Sequence, residues 1–144
     1  MVEIRHISNE ADLAASFPVM KELRPHLTDS ATYVVQVMHQ HTQGYRLLAA
    51  WRDGTIVGLA GYRLQDNLIY GRFVYVDDLI VSTSLHGSGI GEQLLSAARQ
   101  QAVAAQCTHF VLDTGLGNAL AQRFYFRQGL LARGMHFVEA LAQP

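Results

Sequence analysis

One cysteine, one lysine and three prolines are all that the 144 residues contain of those types, and each shortage closes off a class of answer. Cys107 has no second thiol within the chain, so no internal disulfide can form, and a reducing compartment is expected. Lys21 is the single lysine, and 11 basic residues stand against 12 acidic ones for a formal charge of −1. That leaves no basic field to collect phosphates along a nucleic acid and no cluster to dock on an anionic membrane. No apolar run approaches the ~20 residues of a membrane span. Met1 to Glu10 carries Glu3, Arg5 and His6 where a signal peptide needs an apolar stretch, so a cytoplasmic location is expected. The seven histidines are dispersed. His39 and His41 are two apart, which on a helix points them to different sides, and no metal site is expected.

What is present is apolar material, 49% of the chain, with only 16% charged residues and no low-complexity stretch. That is enough for a sizeable core in one domain spanning 1–144. A short β-like opening holds Val2, Ile4 and Ile7, and Ser8 or Asn9 is placed to cap a helix carrying Leu13, Phe17, Met20 and Leu23. Pro25 interrupts that helix. A second helical stripe, Tyr33, Val34, Val37, Met38 and His41, lies within Thr28 to His41 and ends near Gly44.

The centre reads as three antiparallel strands, Tyr45 to Trp51, Thr55 to Leu64 and about Tyr70 to Val81. Asp53-Gly54 forms the first turn and Asp66-Asn67 the second. Beyond them the period changes to helical, with Ile90, Leu94, Leu95, Ala98 and Ala102 on one face. A short buried strand follows at His109 to Leu112, and then a helix over Asn118 to Gln128 stopped by Gly129. Phe137, Val138 and Leu141 suggest a last strand, which as an edge could pair with a second subunit and make a homodimer. The order is that of a mixed α/β fold, a mostly antiparallel sheet with helices on both faces.

The most informative stretch runs from the strand Tyr75 to Val81 through Ser82-Thr83-Ser84-Leu85 into His86-Gly87-Ser88-Gly89-Ile90-Gly91. A glycine-rich turn opening a helix aims several backbone N–H groups in one direction, with the positive end of the helix dipole behind them. Such a turn can cradle phosphate, and glycine at 87, 89 and 91 lets the ligand come close to the backbone. The alternative is a plain strand-to-helix connection. Two other phosphate motifs are excluded: the turn lacks the Gly-Lys-Ser/Thr ending of a P-loop, and it follows an antiparallel meander, not the early βαβ unit of a dinucleotide site.

A strand of the form Asp77-Asp78-Leu79-Ile80-Val81, a short loop and then His86-Gly87-Ser88-Gly89-Ile90-Gly91 resembles the first signature of the GNAT superfamily of N-acetyltransferases. His86 stands where that family usually has Gln or Arg, and a neutral imidazole can still donate one hydrogen bond. A second signature of the family is matched by Asn118, Ala121, Phe124, Tyr125 and Gly129 in the correct order, so the resemblance covers nearly the whole chain. By their spacing alone, Asn118, Ala121 and Tyr125 share one helical face two turns long. Asn118 either holds a peptide-like cofactor arm or caps the helix, and Tyr125 either handles a proton or packs its ring in the core.

The resemblance implies an acetyl-CoA-dependent transfer of an acetyl group to a primary amine of a small molecule. It assigns acyl-CoA contacts to Leu79, Ile80, Val81, His86, Gly87, Ser88, Gly89, Ile90, Gly91, Asn118 and Ala121. Asp77 and Asp78 are implied to bind the amine or help remove its proton, and Tyr125 to protonate the departing thiolate. Alternation along a strand gives Asp77 a face in common with Tyr75, Leu79 and Val81, and puts one of the two aspartates in the cleft unless a bulge intervenes. Arg24, His26 and Tyr33 either wall the acceptor site or cover the sheet. Cys107 is read as a small buried filler, since no His and acid partner motif surrounds it. A protein or peptide acceptor, or a sensor that binds acyl-CoA without turnover, are the competing readings.

Overall fold

The computed structural model describes residues 1–143. In chain order the elements are β1 (Glu3–Ile7), α1 (Glu10–Leu23), α2 (Ser30–His41), β2 (Tyr45–Arg52), β3 (Thr55–Asn67), β4 (Gly71–Val81), a 3-10 turn at Thr83–Leu85, α3 (Ile90–Ala104), β5 (His109–Leu112) and α4 (Ala119–Arg127). They fall into two compact units, Met1–Asp113 and the stretch from Thr114 onward.

Local chemistry sets the boundaries. Of the two candidate caps for α1, Asn9 takes the role, its side-chain oxygen accepting the Asp12 N–H at 2.8 Å. The helix ends at Leu23 because Arg24, which precedes Pro25, leaves helical geometry at φ −120 and ψ 73. Asp29 caps α2 by accepting from Thr32 N–H at 2.8 Å. Between β2 and β3, Asp53 and Gly54 both take positive φ, 49° and 76°, as a two-residue hairpin turn requires. The next turn lies further on than its sequence suggests. The Asn67 side chain accepts from the backbone N–H of Ile69 and Tyr70 at 3.0 and 2.7 Å, so β3 continues to Asn67 before the chain reverses.

The first unit is a five-stranded sheet in the order β1-β2-β3-β4-β5, antiparallel except for the parallel pair β4 and β5. It is the expected mixed, mostly antiparallel sheet. On one face α1 and α2 bury Leu13, Met20, Tyr33 and Val37 against Leu47 and Leu59. On the other, Ile90, Leu94, Ala98 and Ala102 of α3 pack on Leu48, Ala60, Val74 and Val76. Neighbours such as Leu47 and Leu48 enter opposite cores because strand side chains alternate. Covering both faces explains the unbroken burial from Ile56 to Tyr62. At Gly58 a Cβ would meet Leu94 Cδ1 at 2.8 Å, so the absence of a side chain lets α3 lie close on β3.

In the second unit α4 ends at Gly129, whose φ of 89° is left-handed. The N–H of Leu130 donates to Tyr125 carbonyl and that of Gly129 to Phe126 carbonyl, both at 3.1 Å, which satisfies the last carbonyls of the helix. The strand expected near Phe137 to Leu141 is not formed. Residues 130–143 carry no regular structure, and Phe137 and Val138 are each 88% exposed. An apolar run becomes a strand only when a neighbour takes its backbone hydrogen bonds, and no described strand pairs with this one. No described helix is long and apolar enough to cross a membrane.

Candidate active site

The site is built around the far half of β4. On one side β4 pairs with β3 through to Val81, which lies opposite Gly58. On the other side its pairing with β5 stops at Val76, opposite Leu112. From Asp77 to Val81 the β5-side edge of the strand therefore has no strand partner among the described residues, and the sheet is open there. Such an edge can take an extended, amide-bearing ligand as if it were another strand.

At the point where the sheet opens, β4 is bulged. Gly61 pairs with Asp78 and Tyr62 with Val76, so Asp77 is the extra residue with nothing opposite it. The bulge breaks the alternation on which the sequence expectation rested. Asp77 does not share a face with Leu79 and Val81, which pack in the α3 core. Both aspartates are directed to partners on the α1 and α2 side. Asp77 accepts two hydrogen bonds from Arg63, Nε to Oδ2 at 2.8 Å and Nη2 to Oδ1 at 2.7 Å. Asp78 accepts from Arg24 Nε at 3.0 Å on one oxygen and from the Tyr45 hydroxyl at 2.7 Å on the other. Arg24 also donates to the Asp77 backbone carbonyl at 2.8 Å.

Two further side chains join this cluster. The Arg63 guanidinium lies 5.5 Å from the centre of the Tyr75 ring, and the Tyr75 hydroxyl donates to Asp113 at the end of β5. Two arginines thus meet the carboxylates of Asp77 and Asp78, with Asp113 close by just past β5. Tyr45 is 2% exposed, and burial first, then the nearby Asp78 charge, pushes its phenol well above the usual value.

Of the three early residues considered for the acceptor wall, Arg24 reaches the cluster and His26 is exposed. Tyr33 is instead a core residue, 4% exposed, its hydroxyl 2.8 Å from Ser16 Oγ. Arg63 and Tyr45 are not among the site residues expected from the sequence. Their signal was Gly61, since an isolated glycine inside a strand pattern marks a bulge or a close approach.

The glycine turn begins five residues past the end of β4. Gly87 and Gly89 have φ of 81° and 86°, conformations that suit glycine, and a Cβ at either would meet nothing within 4 Å. Gly89 is the N-cap of α3 and offers no side-chain acceptor, so the first-turn N–H groups of Ile90 and Gly91 lack partners within the helix. Ser88 turns its hydroxyl back to the Leu85 carbonyl at 2.5 Å. His86 folds back onto the end of β4. Its Nε2 lies 2.9 Å from the Val81 carbonyl, which can only accept, so the single N–H of a neutral ring is already engaged. Of the strand residues, Leu79 and Val81 pack on the α3 side and Ile80 on the α1 side.

In the second unit Asn118 caps α4, its side-chain oxygen accepting the Ala121 N–H at 3.1 Å. Tyr125 lies one turn beyond Ala121, edge-on to Phe124 with ring centres 5.3 Å apart. Burial raises its phenol above the ordinary value. Cys107, half-buried before β5, packs against the α3 core as a small apolar side chain. Among the described residues no group of three or more His, Cys, Asp or Glu side chains could hold a metal ion.

Comparison with known proteins places these features. The chain is 28% identical over 126 residues, 87% of its length and 88% of the other's, to an uncharacterized N-acetyltransferase of Bacillus subtilis. It is 33% identical over 98 residues, 67% of its length and 62% of the other's, to an aminoalkylphosphonate N-acetyltransferase of Salmonella typhimurium. Its fold superimposes on that of the aminoglycoside N-acetyltransferase AAC(6')-Iy in complex with CoA, with a TM-score of 0.86 at 18% identity, covering 98% of this chain and 95% of that one. The model of the acetyltransferase (GNAT) family matches residues 7–130, and with that match the chain belongs to the GNAT family of N-acetyltransferases.

Proposed function

We propose that the protein transfers an acetyl group from acetyl-CoA to the primary amine of a small molecule, by direct attack of the amine. The observation that carries this reading is the unpartnered edge of β4 from Asp77 to Val81, which runs on through a short loop into the glycine turn at the head of α3. The two halves suit the two ends of one ligand. A pantetheine arm carries amides that can pair with a strand edge, and a diphosphate suits the N–H groups of a helix mouth. The open space at Gly87 and Gly89 fits that assignment, as does the lack of a side-chain cap on α3.

The thioester supplies an activated acyl carbon. Everything else falls to the chain. The peptide groups of Leu79, Ile80 and Val81 hold the arm, and those of Gly87, Gly89, Ile90 and Gly91 hold the phosphates, with His86 and Ser88 bracing the turn between them. In the second unit, Asn118 and Ala121 at the start of α4 are assigned further cofactor contacts. Placing the two reactants together supplies much of the rate, as the loss of their independent motion has already been met on binding.

Asp77 and Asp78 act as charge partners of the incoming ammonium. Each oxygen of a carboxylate has a second lone pair, so hydrogen bonds to arginine and tyrosine leave room for an ammonium. An alkyl ammonium has a pKa of about 10, so a proton must leave before attack, and water at the carboxylates can take it. Tyr125 holds the proton that the thiolate needs. Its raised pKa keeps the hydroxyl protonated at neutral pH.

Calorimetry with acetyl-CoA tests the first half of the reading, and CoA release with a panel of small amines, aminoglycosides and peptides tests the second. Micromolar binding followed by CoA release with small amines is expected. Binding without release from any amine would mark a sensor. Release with peptides alone would reassign the acceptor.

A further inference from the structure

We infer that Glu22, near the C-terminus of α1, is a positioning residue for the acyl-CoA cradle, holding in place the loop that aims the glycine turn; this rests on the proposed binding of acyl-CoA there. The 3-10 turn Thr83–Leu85 lies between the end of β4 and the cradle, and its own N-cap, Ser82, makes no side-chain cap. Glu22 provides one from another element. Its Oε1 accepts from Thr83 N–H at 3.0 Å and from Thr83 Oγ1 at 2.6 Å, and Oε2 accepts from Ser82 Oγ at 3.4 Å. A carboxylate at the start of a helical turn meets unpaired N–H groups and a favourable dipole, and its hydrogen bonds are charge-assisted.

From Thr83 the constraint passes to the cradle by contiguous hydrogen bonds. The Thr83 carbonyl accepts from His86 N–H at 3.3 Å and the Ser82 carbonyl from Leu85 N–H at 2.9 Å. The Leu85 carbonyl then accepts from Ser88, N–H at 3.2 Å and hydroxyl at 2.5 Å, next to Gly89. Gly87 and Gly89 give this segment wide backbone freedom, so its N–H groups keep a common direction only if the loop before them is anchored. Two residues beyond Glu22, Arg24, the residue that caps α1, binds the β4 bulge, so the C-terminal end of α1 and its cap grip both the loop and the strand that leads into it.

Glu22 touches no reacting atom in this scheme, so its loss should weaken cofactor binding and leave the chemical step alone. The test compares the full-length wild type with Glu22→Ala, Glu22→Gln, Thr83→Val and the Glu22→Ala/Thr83→Val pair. The readouts are acetyl-CoA Kd by calorimetry, kcat at saturating acetyl-CoA, and ligand-free Tm. A Kd about tenfold weaker in Glu22→Ala is expected, with kcat within about twofold, most of the affinity restored in Glu22→Gln, and a double variant little worse than Glu22→Ala alone. A wild-type Kd in Glu22→Ala, or a fall in kcat with Kd unmoved, overturns the inference. If Glu22→Ala does not fold, Thr83→Val decides by the same comparison, because it removes one of the same bonds and keeps the charge. No heat from the wild type overturns the proposed function together with this inference, whereas wild-type binding with unmoved variants overturns the inference alone.

Discussion

Gly61 leaves the space that the Tyr45 hydroxyl occupies on its way to Asp78: a Cβ at position 61 would fall inside the phenol. The glycine lies opposite Asp78 across the β3–β4 pairing, at the edge of the bulge, so one missing side chain permits both the kink and the buried hydrogen bond. Gly61→Ala is therefore expected to destabilise the protein by about 1–3 kcal/mol, as overpacking does. Tyr45→Phe should cost about 1–2 kcal/mol by leaving Asp78 short of a donor. The double variant should lose less than the sum, since the second change removes the nearest of the atoms that the first collides with and leaves ring carbons at 2.4 and 2.8 Å. Urea unfolding of the three variants measures this, and strict additivity would refute the steric account.

Tyr33 and Tyr45 should resist ionisation until the protein unfolds. Burial pushes Tyr33 up to about 12 and holds Tyr45 well above its ordinary value of 10.0. In the unfolded chain both lose their protons near pH 10, so above that pH the unfolded state binds fewer protons than the folded one. The stabilisation is complete below pH 10 and is lost as pH rises through the folded-state values, about 12 for Tyr33. A phenolate absorbance titration at 295 nm should find two of the six tyrosines ionising only together with loss of structure. Smooth ionisation of all six near pH 10 in the folded protein would contradict it.

The two aspartates should separate by function. Asp77 is the more exposed, 24% against 13%, and its carboxylate is bound by Arg63, whereas both oxygens of Asp78 brace the fold through Arg24 and Tyr45. Asp77→Asn is expected to raise the acceptor KM about tenfold with little change in Tm. Asp78→Asn should lower Tm by several degrees as well, in line with a loss of about 1–3 kcal/mol. Steady-state kinetics with a fixed amine, alongside thermal unfolding, reads both. Identical profiles for the two variants would remove the distinction.

Gly89 and Tyr125 should fail in opposite ways. Valine at 89 must adopt a φ of 86°, which costs about 1–2 kcal/mol and puts a branched side chain where phosphate is proposed to lie. Acetyl-CoA affinity should fall while any remaining turnover at saturation stays close to normal. Tyr125→Phe should keep the affinity and lower kcat about a hundredfold or more, as loss of a general acid does. Calorimetry with single-turnover kinetics distinguishes them, and equal small effects in both would count against the roles assigned.

The helical face Ile90, Leu94, Leu95, Ala98 and Ala102 was legible because a 3.6-residue period has one buried side, and all five residues are buried. Asp53-Gly54 was legible because a hairpin of that length demands two residues able to take positive φ. The stretch from Phe137 to Leu141 was misread because apolar content does not reveal whether a partner strand exists. The contact of His86 with the Val81 carbonyl was not legible, because its partner is a backbone atom that no side-chain pattern records.

By itself the sequence determined the layered α/β plan, the glycine turn at the head of a helix and the residue types able to do the chemistry, because these follow from local periodicity, local backbone freedom and side-chain identity. Only the tertiary structure decided that Asp77 and Asp78 turn to the same side and that arginines from the cap of α1 and from β3 bind them. Arg24 and Asp78 are 54 residues apart in the chain, and a bulge is a misfit between two strands. Neither has an address in one segment, so both exist only once α1, β3 and β4 have packed together.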